Sequence, residues 1–433
     1  MSGMRDRMNK LRGITTSLEA VPEDTIVLSS VQHEDDDIFE EDQQLLEWSA
    51  IGVELATNEI GSFLLRVVHY PFHHRHGLHA LKELQEAAPG LTAFHPEAEQ
   101  ASAEQILFLD LETTGLGVGA GNVPFMVGIA YMSKGHFVIE QALIRHPAEE
   151  RAMLSYLAEK LQQFTYLSTY NGKTFDWPLV ENRFIMNGFG RQTWSPKHLD
   201  FLHPARSIWR NTLVSCKLSH VEEERLGINR EDDVPGSLAP QLYFQYLADG
   251  NPTPLEGVFR HNEMDMLSLA CLAIRFGHLL NGDIEAYIPL PDEVEEMVRT
   301  GLWLERMGNT LLPARLFETA MNQDQAKPTS LLMLAARDKK AGNWGRAVLL
   351  WQKAIIHSAS YFGPAAQEAS IELAMYYEHK LKNYEAALSH AVTAFEHALN
   401  HSTLVRTDSK KRAELEALRN RISRLRRKAS KHR

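Results

Sequence analysis

The stretch that most constrains this chain is ILFLDLE at residues 106–112, a run apolar enough to be a buried strand yet ending in two carboxylates. Side chains of an extended strand alternate between faces, so Asp110 and Glu112, two apart, project from the same face. A carboxylate stripped of its hydration at the end of an apolar strand is costly unless something compensates it. Hard oxygen donors of this kind suit a divalent cation such as Mg²⁺ or Mn²⁺. The competing reading is a solvent-exposed strand end beside the glycine-rich turn that follows, and the pair by itself supports both.

The neighbouring pattern places this strand in a mixed α/β sheet. VPFMVGIAYM (123–132) and GHFVIEQALI (135–144) follow after short glycine-containing turns and read as two more strands, and EERAMLSYLAEKLQQF (149–164) has helical apolar spacing. TYLSTYN (165–171) reads as a fourth strand, FDWPLVENRFIMNGFG (175–190) as a helix stopped by its glycines, and KHLDFLH (197–203) as a fifth strand. The remainder to Leu280 reads as mainly helical, so three antiparallel strands give way to β-α-β alternation.

Five regions are expected. Residues 1–44 form a mobile acidic leader around EDDDIFEED, and 45–100 an N-terminal hairpin region packing on the next domain, with its turn at Asn58, Glu59 and Gly61. Residues 101–285 carry the α/β domain, 290–402 helical repeats, and 403–433 a basic tail. The repeats are read from Gly308, Pro313, Phe317 and Ala320, which align with Gly342, Ala347, Trp351 and Ala354, and again with Lys382, Ala387, Ala391 and Ala394. This spacing resembles tetratricopeptide helix pairs, in which small residues admit a close helix and an aromatic fills the gap. The resemblance suggests a surface for partners rather than chemistry.

Composition removes several classes of function. A net charge of −11 excludes a chain that coats nucleic acid uniformly, although Arg406–Arg433 holds 12 Lys and Arg against three acids. That tail either attracts phosphates or is a solvated terminal helix. No apolar run approaches the roughly 20 residues of a membrane-spanning helix, so no membrane role is expected and the chain is read as cytoplasmic. Cys216 and Cys271 are too few for a disulfide framework or a cysteine zinc site. His69, His73, His74, His76 and His79 form a histidine-rich tract without interleaved acids, so no dedicated metal site is expected there.

Two phosphate-binding motifs fail on inspection. Gly115, Gly117 and Ala120 satisfy a relaxed dinucleotide fingerprint, but Asn122-Val-Pro124 leads into a strand and not the helix that would present its N–H groups. Gly172-Lys-Thr174 resembles the end of a P-loop, yet Leu167 stands where that motif requires glycine. The acidic constellation is stronger. Asn171 to Asp176 closes a strand and opens a helix, and His261 and Asp265, four apart, share one helical face.

Taken in order, Asp110-Leu-Glu112-Thr-Thr-Gly-Leu, Asn171 with Phe175-Asp176, and His261-x-x-x-Asp265 resemble the three exonuclease motifs of the DEDD superfamily. The stretches HLDFLHPARSIW (198–209) and REDDVPGSLAPQLYFQYL (230–247) are similar to the YprB-like ribonuclease H-like family. The resemblance implies an RNase H-like fold and two divalent ions, Mg²⁺ or Mn²⁺, held by Asp110, Glu112, Asp176 and Asp265, with His261 as general base. It also implies Thr113, Thr114, Leu116 and Asn171 as contacts to the terminal nucleotide. The histidine stands at the spacing of the superfamily's tyrosine variant, and Arg260, five before Asp265, is a poor base, so His261 is chosen. The implied activity is 3′–5′ exonuclease cleavage, with DNA in repair favoured over RNA and a helicase as a possible protein partner. The alternatives are an RNA-directed exonuclease of the same fold, or a weakly active scaffold recruiting partners through its helical repeats.

Overall fold

Runs rich in β-branched and aromatic residues pair into a mixed sheet in the computed structural model, which describes residues 45–115, 121–190, 194–323, 326–358, 363–402 and 409–431. In chain order the strands are β1 (Val53–Thr57), β2 (Ser62–Pro71), the short pair β3 (Arg75–His76) and β4 (His79–Ala80), β5 (Ile106–Thr113), β6 (Pro124–Ser133), β7 (His136–Leu143), β8 (Tyr166–Thr169) and β9 (Lys197–Asp200). Seven of them form one sheet in the order β1-β2-β7-β6-β5-β8-β9, antiparallel except for the parallel pairs β5–β8 and β8–β9. This is the mixed α/β architecture expected from the sequence, with two more strands than the five read between residues 101 and 203.

The extra strands come from the N-terminal hairpin. The Asn58 side chain accepts the Ile60 and Gly61 amides at 3.0 and 3.2 Å and so closes the β1–β2 turn. β2 then runs beside β7 from Leu64↔Leu143 to Pro71↔His136. The hairpin therefore extends the sheet instead of packing on it as a separate layer.

Strand alternation sends the apolar residues of β5 into two different cores. Leu107, Leu109 and Leu111 meet helices α2 (Glu150–Leu161), α3 (Asp176–Met186) and α5 (Ala239–Asp249) on one face. Ile106 and Phe108 meet α1 (Glu83–Leu91), α4 (Leu202–Trp209) and the long α6 (Glu256–Asn281) on the other. Each fully buried side chain of this size contributes about 1.5–3 kcal/mol, so both faces resist displacement. Asp110 and Glu112 continue the even-numbered series, and they therefore look toward α6.

Beyond the sheet the chain is all-helical: α7 (Val294–Arg306), α8 (Leu311–Asn322), α9 (Pro328–Lys340), α10 (Trp344–His357), α11 (Pro364–His379), α12 (Tyr384–Ser402) and α13 (Ser409–Lys431). The periodic residues are those buried between helices: Pro313, Phe317 and Ala320 in α8, Ala347, Trp351 and Ala354 in α10, and Ala387, Ala391 and Ala394 in α12. The turn preceding each of these helices uses a left-handed residue, Gly308 (φ 88°), Gly342 (φ 80°) and Lys382 (φ 56°). A backbone repeat thus underlies the sequence repeat.

Within the expected basic tail, residues 409–431 are a docked helix. Leu418, Ile422 and Leu425 of α13 are buried, and Arg424 and Lys428 both pair at 2.9 Å with the buried Glu378 of α11. Two of the tail's cations are thereby committed to a carboxylate of the helical region. No helix among the described residues is long and apolar enough to cross a membrane.

Candidate active site

The parallel strands β5, β8 and β9 end at one edge of the sheet, where loops rather than further strands surround their last residues. β5 delivers Asp110 and Glu112 there. The loop after β8 turns at Asn171, whose φ of 72° is left-handed, and delivers Asp176 to the first turn of α3. α6 crosses over the same place and supplies His261 and Asp265. Its approach depends on Gly128 of β6, paired opposite Asp110: a Cβ at that position would lie 2.1 Å from the Asn262 Oδ1. A glycine inside an apolar strand here marks close contact with a second element.

Four carboxylates gather as a result. Glu112 and Asp176 are buried, and Asp110 receives a hydrogen bond of 3.0 Å from the buried Asn262 Nδ2. Burial pushes the Asp110 carboxyl well above the usual carboxylate range, and repulsion from Asp265, Asp176 and Glu112 adds to it. Glu112 is raised for the same reasons, burial first and then Asp265, Asp176 and Asp233. Asp176 is pushed up to about 7 by burial, with help from Asp200 and Asp265 and against the hydrogen bond to its own backbone. Asp110, Glu112 and Asp176 form no ion pair with Lys, Arg or His among the described residues.

Compensation is present on the other side only. Arg230 is paired with Asp265, with Glu222 at 2.6 Å and with Asp233 at 3.0 Å; burial weakens its hold on the proton, and Asp265 and Glu222 more than restore it. His261 turns Nδ1 to Asp233 Oδ2 at 2.8 Å and Nε2 toward Asp265 Oδ2 at 3.6 Å. Arg260 instead points into solvent, 71% exposed. The contrast explains why the histidine and not its neighbour meets the cluster.

The other residues expected at the site have local partners. Thr113 Oγ1 donates to the Gly115 carbonyl at 2.6 Å and Thr114 Oγ1 to Asn122 Oδ1 at 3.3 Å, so both hydroxyls shape the turn after β5. Leu116 lies outside the described residues. Asn171 Oδ1 accepts from Thr174 Oγ1 at 3.1 Å, while the Asn171 and Lys173 amides donate to Asp200 at 2.9 and 3.1 Å. The loop that resembles a P-loop thus wraps a carboxylate. Sequence reasoning missed Asp200, Arg230, Asp233 and Asn262; an acid closing the last strand was a signal for the first, and Gly128 a signal for the last.

This donor set matches a hard divalent ion in kind, since it is all oxygen and its mutual repulsion is what such an ion would relieve. Among the described residues, no three His, Cys, Asp or Glu side chains already converge as a ready coordination shell. The tripartite arrangement has Asp265 engaged by Arg230 while the other three carboxylates stand without a cation.

Comparison with known proteins adds an independent line. The family model for the RNase_H superfamily matches residues 107–276, a span that contains all the side chains just described. The Uncharacterized protein YprB of Bacillus subtilis (strain 168) is 36% identical over 403 residues, which is 90% of this chain and 92% of that protein.

Proposed function

Because the chain belongs to the YprB family and carries an RNase H superfamily domain, we propose that it is a metal-dependent 3′–5′ exonuclease of the DEDD type. The observation that carries the reading is the set of carboxylates Asp110, Glu112 and Asp176, raised by burial first and then by their acidic neighbours, and left without a cationic partner among the described residues. These three with Asp265 would hold two divalent ions, Mg²⁺ or Mn²⁺. When bound there, such ions supply positive charge for the phosphodiester transition state and acidify water.

The chain's own groups supply the remainder. His261 accepts a proton from the attacking water at Nε2, the ring nitrogen turned toward the carboxylate cluster. Asp233 Oδ2 and Arg230 Nη1 both reach Nδ1, at 2.8 and 3.3 Å, and hold the ring with Nε2 turned toward Asp265. Arg230 holds Asp265 and Asp233 together, so α6 presents acid and base in one orientation. Thr113, Thr114 and Asn171 shape the two loops that would flank a terminal nucleotide.

Within this reading DNA is favoured over RNA as substrate, with a role in repair and a cytoplasmic location. The tetratricopeptide-like helix pairs are read as a support for a protein partner such as a helicase. The test is incubation of the full chain with 5′-labelled single-stranded and duplex DNA, and with the matching RNAs, in Mg²⁺, in Mn²⁺ and in chelator. A ladder shortening from the 3′ end only when metal is present is expected. Metal-independent cleavage, internal cuts, or intact substrate in every lane would overturn the reading, and a ladder on RNA alone would move the substrate to RNA.

A further inference from the structure

We propose that the exposed face of α4 and the groove it shares with α7 and α9 form a cationic track that carries the phosphodiester backbone of a nucleic acid away from the carboxylate site. α4 begins directly after Asp200, the residue that receives the Asn171 and Lys173 amides at the site. Its buried side consists of Leu202, Ala205, Ile208 and Trp209, and its outward side of His203, Arg206 and Ser207, with the exposed Arg210 at its C-terminal cap. Residues three and four apart share a helical face, so Arg206 and Arg210 stand about 5–6 Å apart along one stripe.

That stripe leads into a groove of about 780 Å³ lined by Ser207 on one side and by residues of α7 and α9 on the other. Four basic side chains line it, Arg299, Arg306, Arg337 and Lys340, against one acid, Glu305. Glu305 is held by Arg337 at 2.9 Å and Arg299 by Glu295 at 2.9 Å, so two of the four charges are neutralised. Arg306 and Lys340 are exposed, and together with Lys173, Arg206 and Arg210 they form no ion pair among the described residues.

The track is also rigid. Trp209 Nε1 donates to Glu296 at 2.9 Å and Asn211 Nδ2 to Glu295 at 2.7 Å, which locks α4 to α7. Uncompensated cations on a fixed frame are unusual in a chain of net charge −11, and a polyanion of regular charge spacing is the occupant they fit. An acidic protein segment is the competing occupant; it would have to match several separated charges without the strand entering the carboxylate site. The assignment rests on the nuclease reading for its direction, since the track starts at that site.

The test measures binding without cleavage. Fluorescence anisotropy of a labelled single-stranded DNA, and of the same sequence in RNA, is recorded on the full chain in chelator from about 50 to about 200 mM salt. The double variants are Arg206→Glu with Arg210→Glu, and Arg306→Glu with Lys340→Glu; Arg426→Glu with Arg427→Glu on α13 serves as comparison. Each lost phosphate contact on a single strand makes the log–log salt slope shallower by about 0.7. Either track pair should therefore lower it by about 1.4 and weaken binding about 25-fold at about 0.1 M salt, which is ten to the power 1.4. The α13 pair should have a clearly smaller effect.

Equal effects from all three pairs would reduce the track to general surface charge and overturn it. Unchanged binding in the track variants would overturn it outright, as would displacement of the oligonucleotide by poly-glutamate of equal charge with equal efficiency. If track variants lose binding while the wild-type chain cleaves nothing in Mg²⁺ or Mn²⁺, the nuclease reading fails and the track stands.

Discussion

Replacing Asp176 with asparagine tests the carboxylate cluster through stability, where the outcome does not depend on knowing the substrate. Asp176 is held at about 7 in the folded chain, against about 3.9 for an unfolded aspartate. Between those values the folded state binds the proton that the unfolded state has released. Stability therefore falls as pH rises from about 4 to about 7 and stays low above it, the reverse of a salt-bridged aspartate. A displacement of about three pH units at 1.36 kcal/mol each sets a ceiling of about 4 kcal/mol on what the charge costs. Because Asp176 is only 8% exposed, solvent screening removes little of that.

Asparagine has the shape of the protonated acid and keeps an oxygen acceptor for the first turn of α3. Losing the charge-assisted part of that bond costs about 1 kcal/mol, which leaves a net gain of about 2–3 kcal/mol above pH 7 in chelator. Urea unfolding at about pH 8 and about pH 4.5 reads the difference directly, and it should shrink toward zero in acid as both chains become neutral at this position. Adding Mg²⁺ closes most of that gap. An ion at a hundred times its dissociation constant stabilises the wild type by about 2.7 kcal/mol, and a variant lacking a ligand gains less. The reasoning is refuted if the variant is the weaker chain at about pH 8 in chelator, or if its advantage persists unchanged in acid.

Three further outcomes are expected. His261→Ala should keep metal binding, measured by Mn²⁺ titration calorimetry, while turnover drops about 10²–10⁴-fold; collapse of metal affinity would make the imidazole a ligand. Gly128→Ala forces a Cβ to 2.1 Å from Asn262 Oδ1, and overpacking of this kind costs about 1–3 kcal/mol; in a double-mutant cycle Asn262→Ala should recover part of the loss, and strict additivity would deny the contact. A chain ending at Ser402 loses the pairs of Glu378 with Arg424 and Lys428 together with the apolar cover of Leu418, Ile422 and Leu425; both cations are largely solvated, so the pairs contribute about 1 kcal/mol and the apolar side chains the larger share of the loss. In the intact chain burial raises Glu378 but those two cations override it and hold it at about 2, so its contribution is present above about 4.3 and lost as pH falls through about 2; truncation without loss of stability at neutral pH would show the pairs to be idle.

What was legible in the sequence, and what was not, divides by range of interaction. β5 and its two acids were readable because apolar alternation is local and a carboxylate in a buried strand marks itself. The repeat was readable for the same reason, since Phe317, Trp351 and their alanine neighbours recur at helical spacing. The N-terminal hairpin was readable as a hairpin, but its pairing with β7 was not. That choice is made by Leu64 and Leu143, which lie 79 positions apart and carry no local mark of one another. Arg230 and Asp233 were hidden for a related reason: in REDDVPG they look like a solvated acidic loop, and only contact with Asp265 and His261 on α6 makes them part of a site. The basic tail shows the opposite relation. Its charge was conspicuous in the sequence, yet two of its cations are committed to Glu378, whereas Arg206 and Arg306 stand isolated in sequence and share a surface only after α4 docks on α7. A count of charges along a chain records their supply; the fold determines which remain without a partner, and those are the charges a phosphate can use.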